Sequence, residues 1–228
     1  MRAWEHVAEA RAPDGTLLEL HRRGDEFLIR AGGYDLMSSE DAVSSCALAE
    51  LGCAHLSRAD AARVLIGGLG MGFTAQAALL ASGPQARIEI AELVPAVVEW
   101  NRASLAVLTN HPLDDARVEL LLGDVSDVIR DARGSYDAIL LDVDNGPDSL
   151  AHAANDRLYD HAGIVAVRRA LRPGGVLAVW SYSDDASYTR RLRAAGFEVS
   201  VVRVAASRKG RGRRHYIWLA TAPAGHGR

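Results

Sequence analysis

A chain of 228 residues with 49% hydrophobic and 24% charged residues has the composition of an ordinary globular protein and the length for one well-buried α/β domain, which excludes a disordered chain. Its formal net charge of −3 gives no global attraction to nucleic acid or acidic lipid, so neither is expected as a partner. No apolar run reaches the roughly 20 residues of a membrane span and the first residues lack the apolar core of a secretory signal, so a cytoplasmic location is expected.

In chain order, TLLELHRR and GDEFLIRAGGYDLM alternate apolar and polar residues around Asp-Gly, Gly-Asp and Gly-Gly turns, the pattern of a small antiparallel β extension. Ser38 and Asp41 stand at capping-box spacing ahead of a helix expected from about residue 40 to 55. Cys46 and Cys53 fall in that helix, roughly 10 Å apart along its axis, too far for a disulfide. With two cysteines in all and no histidine pair at ligand spacing, no metal site is expected.

From Arg63 the pattern becomes short β-branched runs separated by helical stretches, the mark of a parallel sheet covered on both faces. Strands are predicted at 63–67, 87–91, 117–122, 136–142 and 176–180, with helices near 72–82, 95–108, 125–132, 156–171 and 184–195. Arg172-Pro173-Gly174-Gly175 cannot continue a helix. FEVSVVRVAAS and RRHYIWLATA then form two strands joined by a short loop, which pair antiparallel. The expected architecture is α/β: a seven-stranded, Rossmann-like sheet ending in an antiparallel hairpin. Residues 1–57 form the β extension and its helix, and 58–228 the catalytic domain of one compact unit.

Candidate chemistry gathers at the strand ends. VLIGGLGMGFT runs from a strand through Gly67, Gly68, Gly70 and Gly72 into a helix, where glycine permits a tight turn and close approach of a ligand to the backbone. A turn that merely packs helix on strand reads the same way. Glu92, followed by Leu93, ends the next strand 22 residues after Gly70, placed for ribose hydroxyls. A dinucleotide site looks alike here, but the third glycine of its fingerprint falls on Phe73, which makes NAD the runner-up. Gly123-Asp124 and Asp142 end the following two strands, although Asp124 also reads as a helix N-cap. In an open parallel sheet ligands bind outside the carboxyl ends of the strands, so a glycine loop and three acids share one rim.

These residues resemble the spermidine-synthase-like branch of the S-adenosylmethionine-dependent transferases, from about Gly33 to Ala220. VLIGGLGMG is similar to that family's glycine loop, IEIAELVPAVVEWNR to its ribose-binding strand and helix, RVELLLGDV to its adenine-binding segment, and YDAILLDVDNGP to its catalytic strand and loop. The resemblance implies that Glu92 and Leu93 meet the ribose and that Gly123, Asp124 and Val125 meet the adenine. It also implies that Gly67, Gly68 and Gly70 admit the methionine portion, that Asp142 stands beside the sulfonium, and that the protein is a homodimer.

Two departures direct the reading. Aminopropyltransferases carry an Asp inside the glycine loop where this chain has Gly70 and Met71, and a Tyr-His-Glu cluster where it has Ser44, Ser45 and Cys46. The expectation is therefore methyl transfer from S-adenosylmethionine to a small amine-bearing acceptor. The alternatives are aminopropyl transfer from decarboxylated S-adenosylmethionine and a non-catalytic nucleotide-binding protein. Asp142 and Asp144 are the candidate catalytic acids.

Asp144, Asn145 and Asp148 either bind a cationic acceptor or form a solvated acidic loop, and Trp180 and Tyr182 either line the acceptor pocket or pack at a strand end. The basic run Arg208 to Arg214 reads as a solvated hairpin loop, and no histidine is assigned chemistry.

Overall fold

The structure, a computed structural model, describes residues 2–56, 61–143, 156–206 and 214–224. Strands β1 (Glu5–Arg11), β2 (Leu17–Arg23), β3 (Glu26–Ala31) and β4 (Tyr34–Ser38) form an antiparallel sheet in simple succession. Ser38 caps the turn that follows by accepting from the Glu40 N–H, and α1 (Ala42–Gly52) leads to the second sheet.

That sheet is built from β5 (Arg63–Gly67), β6 (Arg87–Glu92), β7 (Val118–Leu122), β8 (Tyr136–Leu141), β9 (Leu171–Ser181), β10 (Glu198–Ala205) and β11 (Arg214–Thr221). Their spatial order is β10-β11-β9-β8-β5-β6-β7, parallel from β9 to β7, with β11 antiparallel to both of its neighbours. The chain winds outward from β5 through β6 to β7, then returns to the other side of β5 as β8. The order thus reverses between β5 and β8, and such a reversal opens a crevice at the carboxyl ends.

The connecting helices are α2 (Phe73–Ala81), α3 (Pro95–Arg102), α4 (Val125–Asp131), α5 (Asp156–Tyr159), α6 (His161–Ala170) and α7 (Ala186–Ala194). Side chains alternate across the pleat, so successive residues of β5 serve two cores. Val64 and Ile66 face one that includes Leu48 of α1, Ala78 of α2 and Val98 of α3, and reaches Leu18, Leu20, Phe27 and Ile29 of the N-terminal sheet. Leu65 faces the other, with Ile129 of α4, Ile164 of α6 and Leu192 of α7. The first core thereby fixes the N-terminal sheet on the half of the molecule that carries the crevice. Helix α1 lies close enough to the sheet that a Cβ on Gly52 would stand 2.9 Å from the Ala178 Cβ and closer still to the Leu140 side chain.

Four elements differ from expectation. The helix expected from about residue 40 to 55 opens as a 3-10 turn over Ser39–Asp41 and ends at Gly52, so Cys53 follows it. The helix expected over 95–108 stops at Arg102, and a 3-10 turn over Ala106–Leu108 completes it. The helix expected over 156–171 is divided at Asp160, whose carboxylate accepts from the Gly163 N–H and starts α6 afresh. The strand expected at 176–180 begins at Leu171, because Leu171 pairs with Tyr136 before the register shifts to Ala138 opposite Val176. Arg172 to Gly175 are taken up in that irregularity, with Gly174 at φ +76°. The two cysteines are free, as their spacing requires.

Candidate functional site

The loop after β5 turns on three glycines with positive φ: Gly68 at +86°, Gly70 at +52° and Gly72 at +85°. At Gly68 the requirement is spatial as well as conformational, since a Cβ there would stand 2.6 Å from the Asp142 carbonyl oxygen. Backbone bonds join the strand ends around it: Gly68 N–H to Ala91 O at 2.9 Å, Asp142 N–H to Gly67 O at 3.0 Å, and Gly123 N–H to Glu92 O at 2.9 Å.

Glu92 organises this rim. It is 7% exposed, and its carboxylate accepts from the Leu69 N–H at 2.9 Å and the Val94 N–H at 2.8 Å, tying the glycine loop to the turn that opens α3. Asn101, 1% exposed, holds the same loop from the other side by donating to Gly70 O at 2.8 Å and Val97 O at 2.9 Å. Asp124 caps α4 by accepting from the Ser126 N–H at 2.8 Å, and Asp142 accepts from the Thr74 hydroxyl at the start of α2. Each acid has a structural bond and still reaches the same space, so the cap and ligand readings of Asp124 are compatible.

That space is a cavity of about 280 Å³. Gly68, Gly70, Glu92, Leu93, Gly123, Asp124, Val125 and Asp142 all line it, and Gly67 lies directly behind, packed on Val125 and Leu141. Its cover comes from the N-terminal sheet, through Leu18, Ile29, Leu36 and Met37, with Asp14 of the β1–β2 turn. Among the described residues four carboxylates line the cavity, Asp14, Glu92, Asp124 and Asp142, and no Lys, Arg or His does. Asp144, with Asn145 and Asp148, lies outside the described residues, as does the basic run up to Arg213.

A second hollow of about 320 Å³ opens at the opposite, amino end of β5 and β8, beside His55, Asp137 and Arg172. There the Asp137 carboxylate is engaged by the Arg63 N–H at 2.7 Å and the Arg172 guanidinium at 2.6 Å, and the crevice rule points to the other end. Among the described residues no group of three His, Cys, Asp or Glu side chains could hold a metal ion, and no helix is long and apolar enough to cross a membrane.

At the end of β9, Trp180 and Tyr182 are not in the lining of the carboxyl-end cavity and pack instead with a residue distant in sequence. The rings of Trp180 and Tyr182 stand 4.6 Å from each other and 4.7 and 5.1 Å from that of His215. His215 is 4% exposed and its Nδ1 lies 3.0 Å from the Ser44 hydroxyl, a pairing across 171 positions that no local pattern signals. Asn101 left one trace, an amide within the apolar stretch of α3. The cover residues Met37 and Asp14 left none, because a strand residue and a turn residue look alike whether or not a cavity lies beneath.

The strand order, the glycine loop and the acids at the carboxyl rim define the class: a methyltransferase-like α/β protein with a cavity at the carboxyl ends of its parallel strands. Within that class the chain belongs to the spermine/spermidine synthase family, whose domain model, "Spermine/spermidine synthase domain", matches residues 51–192. It is 30% identical over 190 residues to a polyamine aminopropyltransferase of Mycobacterium tuberculosis, covering 78% of this chain and 34% of that protein. It is 32% identical over 208 residues to polyamine aminopropyltransferase 2 of Streptomyces coelicolor, covering 87% and 34%. Putrescine N-methyltransferase 4 of Nicotiana tabacum is 36% identical over 122 residues, 53% of this chain and 30% of that one. The chain thus spans about a third of the length of these curated relatives. The fold matches the crystal structure of spermidine synthase from Thermotoga maritima with a TM-score of 0.73 at 18% identity, covering 95% of this chain and 72% of that one.

Proposed function

We propose that this chain is a transferase that moves an aminopropyl group from decarboxylated S-adenosylmethionine to a small amine. The observation that carries this reading is the charge of the cavity, with four carboxylates, an apolar cover and no basic side chain among its described lining. Decarboxylated S-adenosylmethionine bears a sulfonium and an ammonium and no anion, so every charge it carries finds an opposite one. S-adenosylmethionine adds an α-carboxylate, which would be desolvated among like charges. The comparisons favour the same donor, and methyl transfer, the leading expectation from the sequence, gains less from them.

In this reading Glu92 and Leu93 hold the ribose, and Gly123, Asp124 and Val125 the adenine. Gly68 and Gly70 leave room for the sulfur and its chain, with Gly67 packed behind them. The fit is physical: glycine at position 68 lets the loop lie against the Asp142 carbonyl, and the lining acids suit hydroxyl, amine and cationic groups. The bound donor supplies a carbon activated by attachment to a sulfonium. Asp142 stands at the switch between β5 and β8, held by Thr74, and orients the attacking amine while accepting the proton that must leave an ammonium before nitrogen has a lone pair. The C–N bond forms as the C–S bond breaks, and the electron pair stays on sulfur in the departing methylthioadenosine. Cover and rim contribute by holding the partners in line and excluding water. Asp144 is proposed as the second acid of the acceptor side, and residues 1–57 as the cover of the unit.

A second reading, methyl transfer from S-adenosylmethionine to an amine, draws on the putrescine N-methyltransferase relatives and on Gly70-Met71 in the glycine loop. Calorimetric titration with both donors, methylthioadenosine and S-adenosylhomocysteine separates the two. Preference for the decarboxylated donor and methylthioadenosine supports aminopropyl transfer. Preference for the other pair supports methyl transfer. Binding without turnover of any amine would leave a nucleotide-binding protein, and no binding refutes the site.

A further inference from the structure

Where the glycine loop meets the cavity, the wall facing Gly70 is a thioether. A Cβ built on Gly70 would stand 2.8 Å from the Met37 methyl carbon and 3.0 Å from its sulfur, so Met37 is seated in the hollow that a side chain at position 70 would fill. Met37 comes from β4, paired opposite Ile29 beside a register shift in the β3–β4 ladder. The surface beneath it cannot retreat, because Asn101 and Glu92 anchor the glycine loop through Gly70 O and the Leu69 N–H. Met37, Gly68, Gly70 and Asp142 line one cavity, so the thioether shares a wall with glycine backbone and a carboxylate.

We propose that Met37 is a specificity-determining residue for the donor: its thioether, seated on Gly70, admits an unbranched chain on the donor sulfur and rejects the same chain bearing a carboxylate. The inference rests on the reading of this cavity as a sulfonium-nucleoside site, and it assigns to one residue a share in the discrimination that the lining carboxylates also make. A thioether is polarizable and apolar, well matched to methylene groups beside a sulfonium. It donates no hydrogen bond, so an anion against it is desolvated without compensation. Rejection through an uncompensated charge is how a site separates ligands that share most of their contacts.

The test is the ratio of dissociation constants for S-adenosylmethionine and its decarboxylated form, measured calorimetrically for the unaltered protein and for Met37→Leu, Met37→Ala and Met37→Lys. Methylthioadenosine, which lacks the chain, serves as the control in each. Met37→Leu keeps an apolar wall and holds the ratio within about twofold. Met37→Ala admits water to solvate the carboxylate and lowers the ratio about tenfold, the scale of one small change in an apolar pocket. Met37→Lys supplies a cation and lowers it further. A ratio unchanged in the Ala and Lys variants, with methylthioadenosine still bound or uniformly weakened, would reduce Met37 to a packing residue and overturn the proposal. Failure of the unaltered protein to bind either sulfonium would overturn the proposed function along with it.

Discussion

Replacing Glu92 with Gln tests whether the rim acid is part of the fold as well as of the site. The residue is 7% exposed and its carboxylate accepts two backbone N–H bonds, from Leu69 at 2.9 Å and Val94 at 2.8 Å, one on each oxygen. Glutamine has one oxygen, so it satisfies one of these donors and turns its own NH₂ against the other. Hydrogen bonds to a charged acceptor contribute about 1.5–3 kcal/mol, and a buried donor left unsatisfied costs about 1–3 kcal/mol. These overlap in one lost bond, so about 2–3 kcal/mol of stability is expected to go. For a chain of this size that is a drop in melting temperature of roughly 4–12 °C. Urea unfolding of Glu92→Gln and Glu92→Asp, with methylthioadenosine affinity measured on each, provides the assay. Glu92→Gln should lose stability without ligand and bind at least tenfold more weakly. An unchanged urea midpoint would refute the claim that Glu92 holds the glycine loop in place.

Gly68→Ala sets a Cβ 2.6 Å from the Asp142 carbonyl at φ +86°, so it should cost at least about 2 kcal/mol in urea unfolding and abolish nucleoside binding. Asp142→Asn keeps an oxygen to accept from Thr74, so affinity for the uncharged methylthioadenosine should hold within threefold while amine transfer, followed in single turnovers at saturating donor, falls about 100-fold or more; full activity would remove Asp142 from the mechanism. Burial pushes the Cys53 thiol from 9.0 up to about 12, so the folded state keeps its proton after the unfolded chain has released it. That contribution to stability is intact below about pH 9 and is lost as pH rises toward 12. The urea midpoint should therefore fall more steeply between about pH 8 and 10 in the unaltered protein than in Cys53→Ala, and parallel slopes would contradict the burial.

The sequence by itself determined the order of β and α elements from Arg63 onward, because each strand is a short apolar run bounded by turn residues. It also determined the rim: Gly68, Gly70, Glu92, Asp124 and Asp142 are legible because each ends or closely follows a strand, and parallel strands carry their carboxyl ends to one edge. Where a single polar side chain overrode the periodic pattern, as Asp160 did by restarting α6, the boundary moved. Only the tertiary structure decided what covers the rim. Met37 and Asp14 meet the cavity because the first core docks a whole sheet over it, and His215 meets Ser44 because β11 inserts between β9 and β10. The physical reason is range: periodicity and capping act within a few residues, whereas a cover is set by the packing of two sheets, which depends on every side chain between them.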